Sequence, residues 1–257
     1  MLQAGVERQR MQIVVAVLLL LIFAGETLAQ DPVGPGILAL RDMLKDKNPQ
    51  IRVKAAEGLG RVGGPESVAT LRGSLSDKEI SVRISAVEAL GFIGGRQAMG
   101  VLLEALKDSR TEVRLRAVEA LKDAGTINSI PLLAQVFTDK DESVRLHAAL
   151  MLRKIGHRNG VPVLGRVALN DKSPAVRAAA AQYLGKVGVK DQRAVGLLSQ
   201  VAQDKEPAVR LRAVESLGFL QLATALTVIE RSLKDPDLGV RIRATAVLGH
   251  ALAKEHA

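Results

Sequence analysis

The chain has 257 residues, of which 47% are apolar and only 2% aromatic, and it contains no Cys and no Trp. The lack of Cys excludes disulfides and thiolate chemistry. The scarcity of aromatic residues leaves Leu, Val, Ile and Ala to fill the interior, as in closely packed helices. The formal net charge of +9 favours attraction to polyanions such as nucleic acid.

The amino-terminal segment has the composition of an export signal. Arg8 and Arg10 precede an apolar run at residues 13–25, and the small-residue site Thr27-Leu28-Ala29 follows. The run is shorter than the roughly 20 residues that a membrane-spanning helix needs. We therefore predict a signal peptide at residues 1–29 and a periplasmic or extracellular location. The alternative is an uncleaved membrane anchor through residues 13–25.

Residues 30–36 contain two Pro and two Gly and are predicted to be a linker. A repeat unit then recurs seven times over residues 37–253, and residues 254–257 form a short tail. The repeated Arg residues are 31 to 33 positions apart, a period typical of stacked structural repeats. The missing closing Gly at Gln221 and Leu252 sets the seventh unit apart from the others.

Four residue types recur in every unit without exception. An Asp lies six residues before each Arg, an Ala three residues after it, and a Leu seven after it. The Asp and Arg columns are Asp46, Arg52, Asp77, Arg83, Asp108, Arg114, Asp139, Arg145, Asp171, Arg177, Asp204, Arg210, Asp235 and Arg241. Because the same pair returns in each unit, we predict a structural ladder of Asp and Arg rather than a catalytic array.

Each unit is predicted to contain two helices. Met99, Leu102 and Leu106 have the spacing of an amphipathic first helix, and Val113, Ala117 and Leu121 have that of a second helix. Turns with Pro at the first position of the second helix join them, as at Lys172-Ser173-Pro174. Neither helix can cover its apolar face alone, so the units must stack. The sequence therefore predicts an all-α fold of seven two-helix repeats.

The segment from Asp77 to Gly91, DKEISVRISAVEALG, resembles HEAT repeats, specifically the short HEAT-like type named after the phycobilisome bilin lyases. The resemblance covers nearly all of the chain after the signal. It implies an alpha-alpha superhelix, a HEAT-type solenoid. It also implies that the second helices line its concave face and that the Asp and Arg columns hydrogen-bond along the stack.

The second helices carry a stripe predicted to face away from the core, two and five residues after each Arg. Residues two after Arg include Lys54, Ser85, Arg116, His147, Ala179, Arg212 and Arg243. The middle of the stripe carries fewer charges than its ends, as in a partner groove. We predict a partner surface at His147, Leu150, Gln182, Tyr183, Arg116 and Arg212. The alternative is a solvated helix face with ion pairs three residues apart.

A row of Lys follows the repeated Asp, at Lys47, Lys78, Lys140, Lys172 and Lys205. This edge could attract nucleic acid, anionic lipid or an acidic glycan. Nucleic acid is disfavoured because aromatic residues for base stacking are nearly absent and an Asp precedes each Lys.

No catalytic constellation is visible in the sequence. The four His, at positions 147, 157, 250 and 256, belong to different units or positions, and no Gly-rich phosphate loop follows a predicted strand. We predict no enzymatic activity, no cofactor and no metal site. The leading hypothesis is an exported, non-catalytic scaffold that binds another protein. The competing hypotheses are a lyase or chaperone similar to the bilin lyases, which the export signal disfavours, and a polyanion-binding module.

Overall fold

The computed structural model describes residues 34–124, 127–220 and 222–255. Helices and turns account for these residues, with no strand among them, which confirms the all-α prediction. None of the helices in these ranges is both long enough and apolar enough to cross a membrane. The predicted signal peptide at residues 1–29 lies outside the described residues.

The chain divides into two compact units, the first ending at Ile93 and the second beginning at Gly94. In the first unit the helices form two consecutive pairs. They are α1 (Pro35–Met43), α2 (Pro49–Val62), α3 (Gly64–Ser74) and α4 (Ile80–Ile93).

The second unit contains five more pairs. Its helices are α5 (Gly95–Ala105), α6 (Thr111–Ala124), α7 (Ile130–Val136), α8 (Glu142–Ile155), α9 (Val161–Asn170), α10 (Pro174–Val187), α11 (Gln192–Val201), α12 (Pro207–Phe219), α13 (Ala223–Ser232) and α14 (Leu238–Glu255). Single 3₁₀ turns at Ile127–Ser129 and Arg158–Gly160 precede α7 and α9. The first helix of each pair is called the A helix below and the second the B helix. The described residues thus contain seven two-helix repeats, as predicted.

Local sequence explains where the B helices begin. Asn48, Asp141 and Ser173 each accept a backbone N–H of the following first turn at α2, α8 and α10. Such caps satisfy amide groups that have no partner within the helix. Pro49 and Pro174 occupy the first helical position, where a missing N–H costs nothing. The turns between A and B helices are therefore specified by the chain itself.

The core of each pair is built from the repeated Ala and Leu of the B helix. All seven Ala three residues after Arg are fully buried, namely Ala55, Ala86, Ala117, Ala148, Ala180, Ala213 and Ala244. The corresponding Leu is at most 1% exposed in the first six repeats, and Leu248 is partly exposed in the seventh. The small Ala lets neighbouring helices approach closely, and the Leu fills the space beside it.

Two boundaries differ from those expected from sequence. α1 begins at Pro35, so the last two residues of the predicted linker 30–36 are already helical. Pro is acceptable there because it occupies the first turn of the helix. At the other end α14 continues to Glu255, two residues beyond the predicted limit of 253. Both ends of the repeat region are therefore slightly longer than the periodicity indicated.

Candidate partner-binding face

The repeated Arg and Asp form bidentate bridges between consecutive repeats within each unit. In the joint between α8 and the turn before α10, Arg145 Nε donates to Asp171 Oδ2 at 2.9 Å and its Nη2 to Oδ1 at 3.1 Å. The same fork joins Arg52 to Asp77, Arg114 to Asp139, Arg177 to Asp204, and Arg210 to Asp235. A planar guanidinium matches a carboxylate in this geometry and fixes both distance and orientation.

The same Arg also holds the turn of its own repeat. Arg145 Nη1 donates to the backbone oxygen of Asp139 at 2.9 Å, and Arg83 and Arg241 make the equivalent bond at 2.7 and 2.8 Å. Each repeated Asp in turn accepts the backbone N–H two residues later through Oδ1, as Asp171 does from Ser173 at 2.9 Å. One Arg thus ties its own turn to the Asp turn of the next repeat.

Burial and pairing act against each other on the pKa of these carboxyl groups. At Asp235 the side-chain hydrogen bond from Arg210 lowers the pKa below its usual value and outweighs the opposing effect of burial. At Asp77 and Asp204 burial raises the pKa, but hydrogen bonds from Arg52 and Arg177 and from the backbone bring it below the usual value. Asp77, Asp204 and Asp235 are therefore ionised at neutral pH, as a charge-assisted hydrogen bond from Arg requires.

The B-helix face is defined here, for the second unit, by the residues two and five positions after each repeated Arg. These residues are Arg116, Glu119, His147, Leu150, Ala179, Gln182, Arg212, Glu215, Arg243 and Ala246. All of them are half-buried or exposed, so they face away from the core.

Ion pairs occupy both flanks of this face. Glu119 accepts from Arg116 Nη1 at 2.8 Å, and its other oxygen lies 2.9 Å from His147 Nε2 on the next B helix. Glu215 accepts from Arg212 Nη1 at 2.8 Å and lies 3.8 Å from Arg243 Nη1. The carboxylates therefore link α6 to α8 on one flank and α12 to α14 on the other.

The centre of the face carries less charge. Ala179 and Gln182 of α10 occupy the positions at which α6 and α12 carry Arg and Glu. Leu150, which is half-buried, occupies in α8 the position that Gln182 has in α10. Tyr183 is also half-buried, and the guanidinium of Arg153 from α8 lies 5.3 Å from the centre of its ring. A cation held over an aromatic ring in this way links α8 to α10.

The structure corrects one predicted member of the stripe. Ser85 is 5% exposed, and its hydroxyl donates to the backbone oxygen of Val53 at 3.2 Å. The prediction that this position faces away from the core is wrong for Ser85, because a side chain this small lets the previous B helix cover it. Lys54 and Arg243, two residues after their own Arg, are exposed as expected.

A groove between the sixth and seventh repeats was not predicted from sequence. It has a volume of about 650 Å³ and lies between α12, α13 and α14, lined by Phe219, Leu222, Leu226, Val247 and His250 among others. Phe219 is 46% exposed at its mouth. The loss of the closing Gly at Gln221 was the only sequence signal near it, and Gln221 itself lies outside the described residues.

Other candidate chemistry is distributed differently. Within the described ranges no group of three or more His, Asp and Glu is placed to hold a metal ion. The five Lys of the predicted edge, Lys47, Lys78, Lys140, Lys172 and Lys205, are all exposed in the turns between A and B helices. The backbone oxygens of these Lys accept a second hydrogen bond from Nη1 of the repeated Arg, as Lys205 does from Arg210. Their ammonium groups take no part in these bonds.

Comparison with solved structures gives matches to repeat proteins of several functions. A structure of the karyopherin Kap121p bound to the extreme C-terminus of the protein phosphatase Cdc14p is 17% identical, with a TM-score of 0.62. It covers 86% of this chain, which spans only 30% of that protein. The CpcE and CpcF complex of phycocyanin lyase from Nostoc is 19% identical, covers 88% of this chain and 98% of that chain, and has a TM-score of 0.45. Human deoxyhypusine hydroxylase is 21% identical over 86% of each chain, with a TM-score of 0.44.

Comparison of sequences is decisive for the family. No curated protein matches the chain. The model of HEAT repeats matches it four times, at residues 37–122, 99–168, 130–195 and 161–249. These overlapping matches cover nearly the whole repeat region and confirm the HEAT-type solenoid expected from the Asp and Arg columns. The chain belongs to the HEAT-repeat family.

Proposed function

We propose that the chain is an exported, non-catalytic scaffold that binds another protein on the centre of the B-helix face, at α8 and α10. The observation that carries the proposal is the change of chemistry along this face. The flanking helices carry Arg and Glu, whereas α10 carries Ala179 and Gln182 at the same positions. Leu150 and Tyr183 add apolar surface to this centre.

This arrangement suits recognition of a protein surface. A weakly charged centre can be desolvated at lower cost than a charged one, while charges at its edges orient the partner and speed its approach. Tyr and Arg are the residue types that contribute most where a partner packs tightly. Tyr183 with Arg153 above its ring, 5.3 Å from the ring centre, provides both types at one place.

The relatives support the class of function rather than the partner. The similar part of the karyopherin belongs to a protein whose structure includes a bound segment of Cdc14p. The competing proposal of a lyase or chaperone comes from the resemblance of the repeats to those of the bilin lyases, but the export signal predicted at residues 1–29 argues for another compartment. Fractionation of the host cell distinguishes the two, because the scaffold is expected outside the cytoplasm and a lyase of that type within it.

Binding to a polyanion through Lys140, Lys172 and Lys205 is the second candidate function. The observation in its favour is that all three side chains are exposed in successive turns of the second unit. Binding of this kind weakens steeply as salt rises, whereas docking on the less charged centre of the B-helix face depends less on salt. A salt series on an immobilised chain therefore separates the two candidates.

The experiment that tests the scaffold proposal is quantitative capture of partners by two variants of the central patch. Leu150→Asp places a charge in the patch, and Tyr183→Ala removes its aromatic ring. The partner is captured by chemical crosslinking to the chain. Each variant is expected to reduce its recovery by roughly tenfold or more, since residues at the centre of an interface contribute most of its affinity. Mass spectrometry identifies the captured protein.

Leu132→Asp is the matched control, because Leu132 is also a half-buried Leu but lies on the A helix α7. It is expected to leave capture unchanged while lowering stability to a similar extent. Equal recovery with wild type, Leu150→Asp and Tyr183→Ala would exclude the central patch. Equal loss with Leu132→Asp would attribute the effect to unfolding.

A further inference from the structure

The outer surface of the seventh repeat exposes Ile242 and Thr245, whose equivalents in the other B helices of the second unit are half-buried or buried. This C-terminal end face consists of Leu238, Arg241, Ile242, Thr245 and Gly249 on α14. Leu238 and Ile242 are 61% and 60% exposed, among the largest exposures of apolar side chains in the described residues.

Inner repeats show what normally covers these positions. The residues four after Arg in the preceding B helices, Val118, Ala149, Ala181 and Val214, have no exposed surface, whereas Thr245 is exposed. A Cβ added at Gly185 or Gly218 would meet the next B helix at 2.6 Å or 2.5 Å, whereas at Gly249 it would meet nothing within 4 Å. The end face therefore has the shape of a joint that no helix closes within the described residues.

Arg241 carries half of an inter-repeat bridge. Its Nη1 donates to the backbone oxygens of Asp235 and Pro236 at 2.8 and 2.9 Å, as in the other repeats. No carboxylate of the described residues accepts from its Nε and Nη2, the two atoms that form the fork in Arg145, Arg177 and their equivalents. The guanidinium is thus held by its own turn, with Nε and Nη2 not bonded to a carboxylate of the described residues.

The first repeat carries the complementary half. Asp46 accepts the backbone N–H of Asn48 at 2.8 Å, the turn bond common to all seven Asp, and within the described residues no Arg forks onto its carboxylate. Ile51 beside it is partly exposed, although the equivalent Val in each of the other six repeats is at most 1% exposed. Among residues 34–124, 127–220 and 222–255, no helix therefore covers the first repeat on this side, just as none covers the outer surface of the seventh.

We propose that the C-terminal end face binds the first repeat of a second copy of this chain. Arg241 of one copy forks onto Asp46 of the next, as Arg145 does onto Asp171, and Ile242 becomes covered by the α1 and α2 pair, as its equivalent Leu146 is in an inner joint. The argument for a second copy is charge complementarity together with continuity of an existing joint, since Asp46 and Arg241 are two halves of a bridge that the chain forms elsewhere and neither finds its partner among the described residues. Such a head-to-tail contact is heterologous and can repeat.

The test is sedimentation of the full chain over a range of concentrations, with charge-reversal variants. Asp46→Arg alone and Arg241→Asp alone each place like charges at the joint and are expected to weaken self-association by roughly tenfold or more. An equimolar mixture of the two variants brings opposite charges together at every joint, so association is expected to return.

Two further variants separate this effect from a loss of folding. Ile242→Lys leaves the bonds of Arg241 and the Asp46 turn intact, and the monomer should still fold because the Ile242 side chain is 60% exposed. The variant is expected to weaken association because it places a charge in the proposed contact. Lys205→Glu changes an exposed charge in an inner turn and is expected to leave association unchanged. A wild-type chain that sediments as a monomer at all concentrations would overturn the proposal. So would association that persists in both single variants or that the mixture fails to restore.

Discussion

Two places in the second unit use the same residue types but differ in what covers them. One is the joint between the fourth and fifth repeats, and the other is the outer surface of the seventh repeat. At the joint, Arg145 is 2% exposed and forks onto Asp171. At the outer surface, Arg241 bonds only its own turn among the residues that the structure describes, and Ile242 is 60% exposed. The comparison shows that the Arg is positioned by its own repeat, whereas its burial and its carboxylate partner come from the neighbour. Stability is therefore shared between repeats rather than contained in each of them.

The B-helix face offers a second contrast of this kind. Glu119 and Glu215 each join two B helices on the flanks, and the ring of Tyr183 with Arg153 joins α8 to α10 at the centre. The flanks are thus tied by partly exposed charges that salt can screen, and the centre by a contact with an aromatic ring. This difference is why the centre is proposed as the docking surface.

The largest expected effect comes from removing the Arg of an inner joint. Arg145→Ala leaves the carboxylate of Asp171, whose side chain is 5% exposed, without its fork, and should lower the free energy of unfolding by about 3 to 5 kcal/mol. Arg241→Ala removes only bonds to backbone oxygens and should cost about 1 kcal/mol. Urea unfolding of both variants measures the difference.

Circular dichroism at neutral pH provides the control, since both variants should keep their helical content before unfolding. Equal losses of stability in Arg145→Ala and Arg241→Ala would show that the turn bonds, rather than the inter-repeat fork, determine the contribution of this Arg.

A smaller effect is expected from adding one methyl group at matched glycines. In Gly185→Ala the new Cβ would lie 2.8 Å from Ser216 Cα, so the α10 to α12 joint must open, at a cost of about 1 to 3 kcal/mol. Gly249→Ala meets no atom within 4 Å and replaces a poor helix former, so it should stabilise the chain by about 0.5 to 1 kcal/mol. Thermal unfolding in dilute solution gives the sign of both changes.

Opposite signs at these two positions would sharpen the contrast between a closed joint and an open one. Destabilisation by Gly249→Ala in dilute solution would mean that α14 is covered within the monomer.

Most of the fold could be predicted because it depends on patterns that repeat. The Asp, Arg, Ala and Leu columns identified seven helix pairs, and the positions of Ala117 and Leu121 correctly indicated a buried stripe. The fixed spacing is a reliable signal because every repeat packs against a neighbour of the same structure and needs the same residue types at the same positions. The bridge partners were less accessible to sequence reasoning, since the period alone does not say whether an Arg bonds its own turn, the next Asp or both.

Features that depend on one side chain at one joint could not be read from the pattern. Ser85 is buried because its hydroxyl reaches the backbone oxygen of Val53, which a Lys or Arg at the same position would not do. The groove beside Phe219 depends on the packing of three helices from two repeats, α12, α13 and α14. The candidate surface at His147, Leu150, Gln182, Tyr183, Arg116 and Arg212 remains a prediction, because its role is defined by a partner.

A double-mutant cycle on Arg177 and Asp204 tests the central claim that the fork joins consecutive repeats. Asp204→Asn keeps an oxygen to accept the N–H of Glu206, so it removes the charged fork while retaining the turn. Combined with Arg177→Gln, the pair is predicted to show a coupling of about 2 kcal/mol. Arg241→Gln with Asp235→Asn removes no hydrogen bond between the two side chains, only the attraction between their charges, and should show a coupling of about 0.5 kcal/mol. Additive losses at Arg177 and Asp204 would contradict the claim.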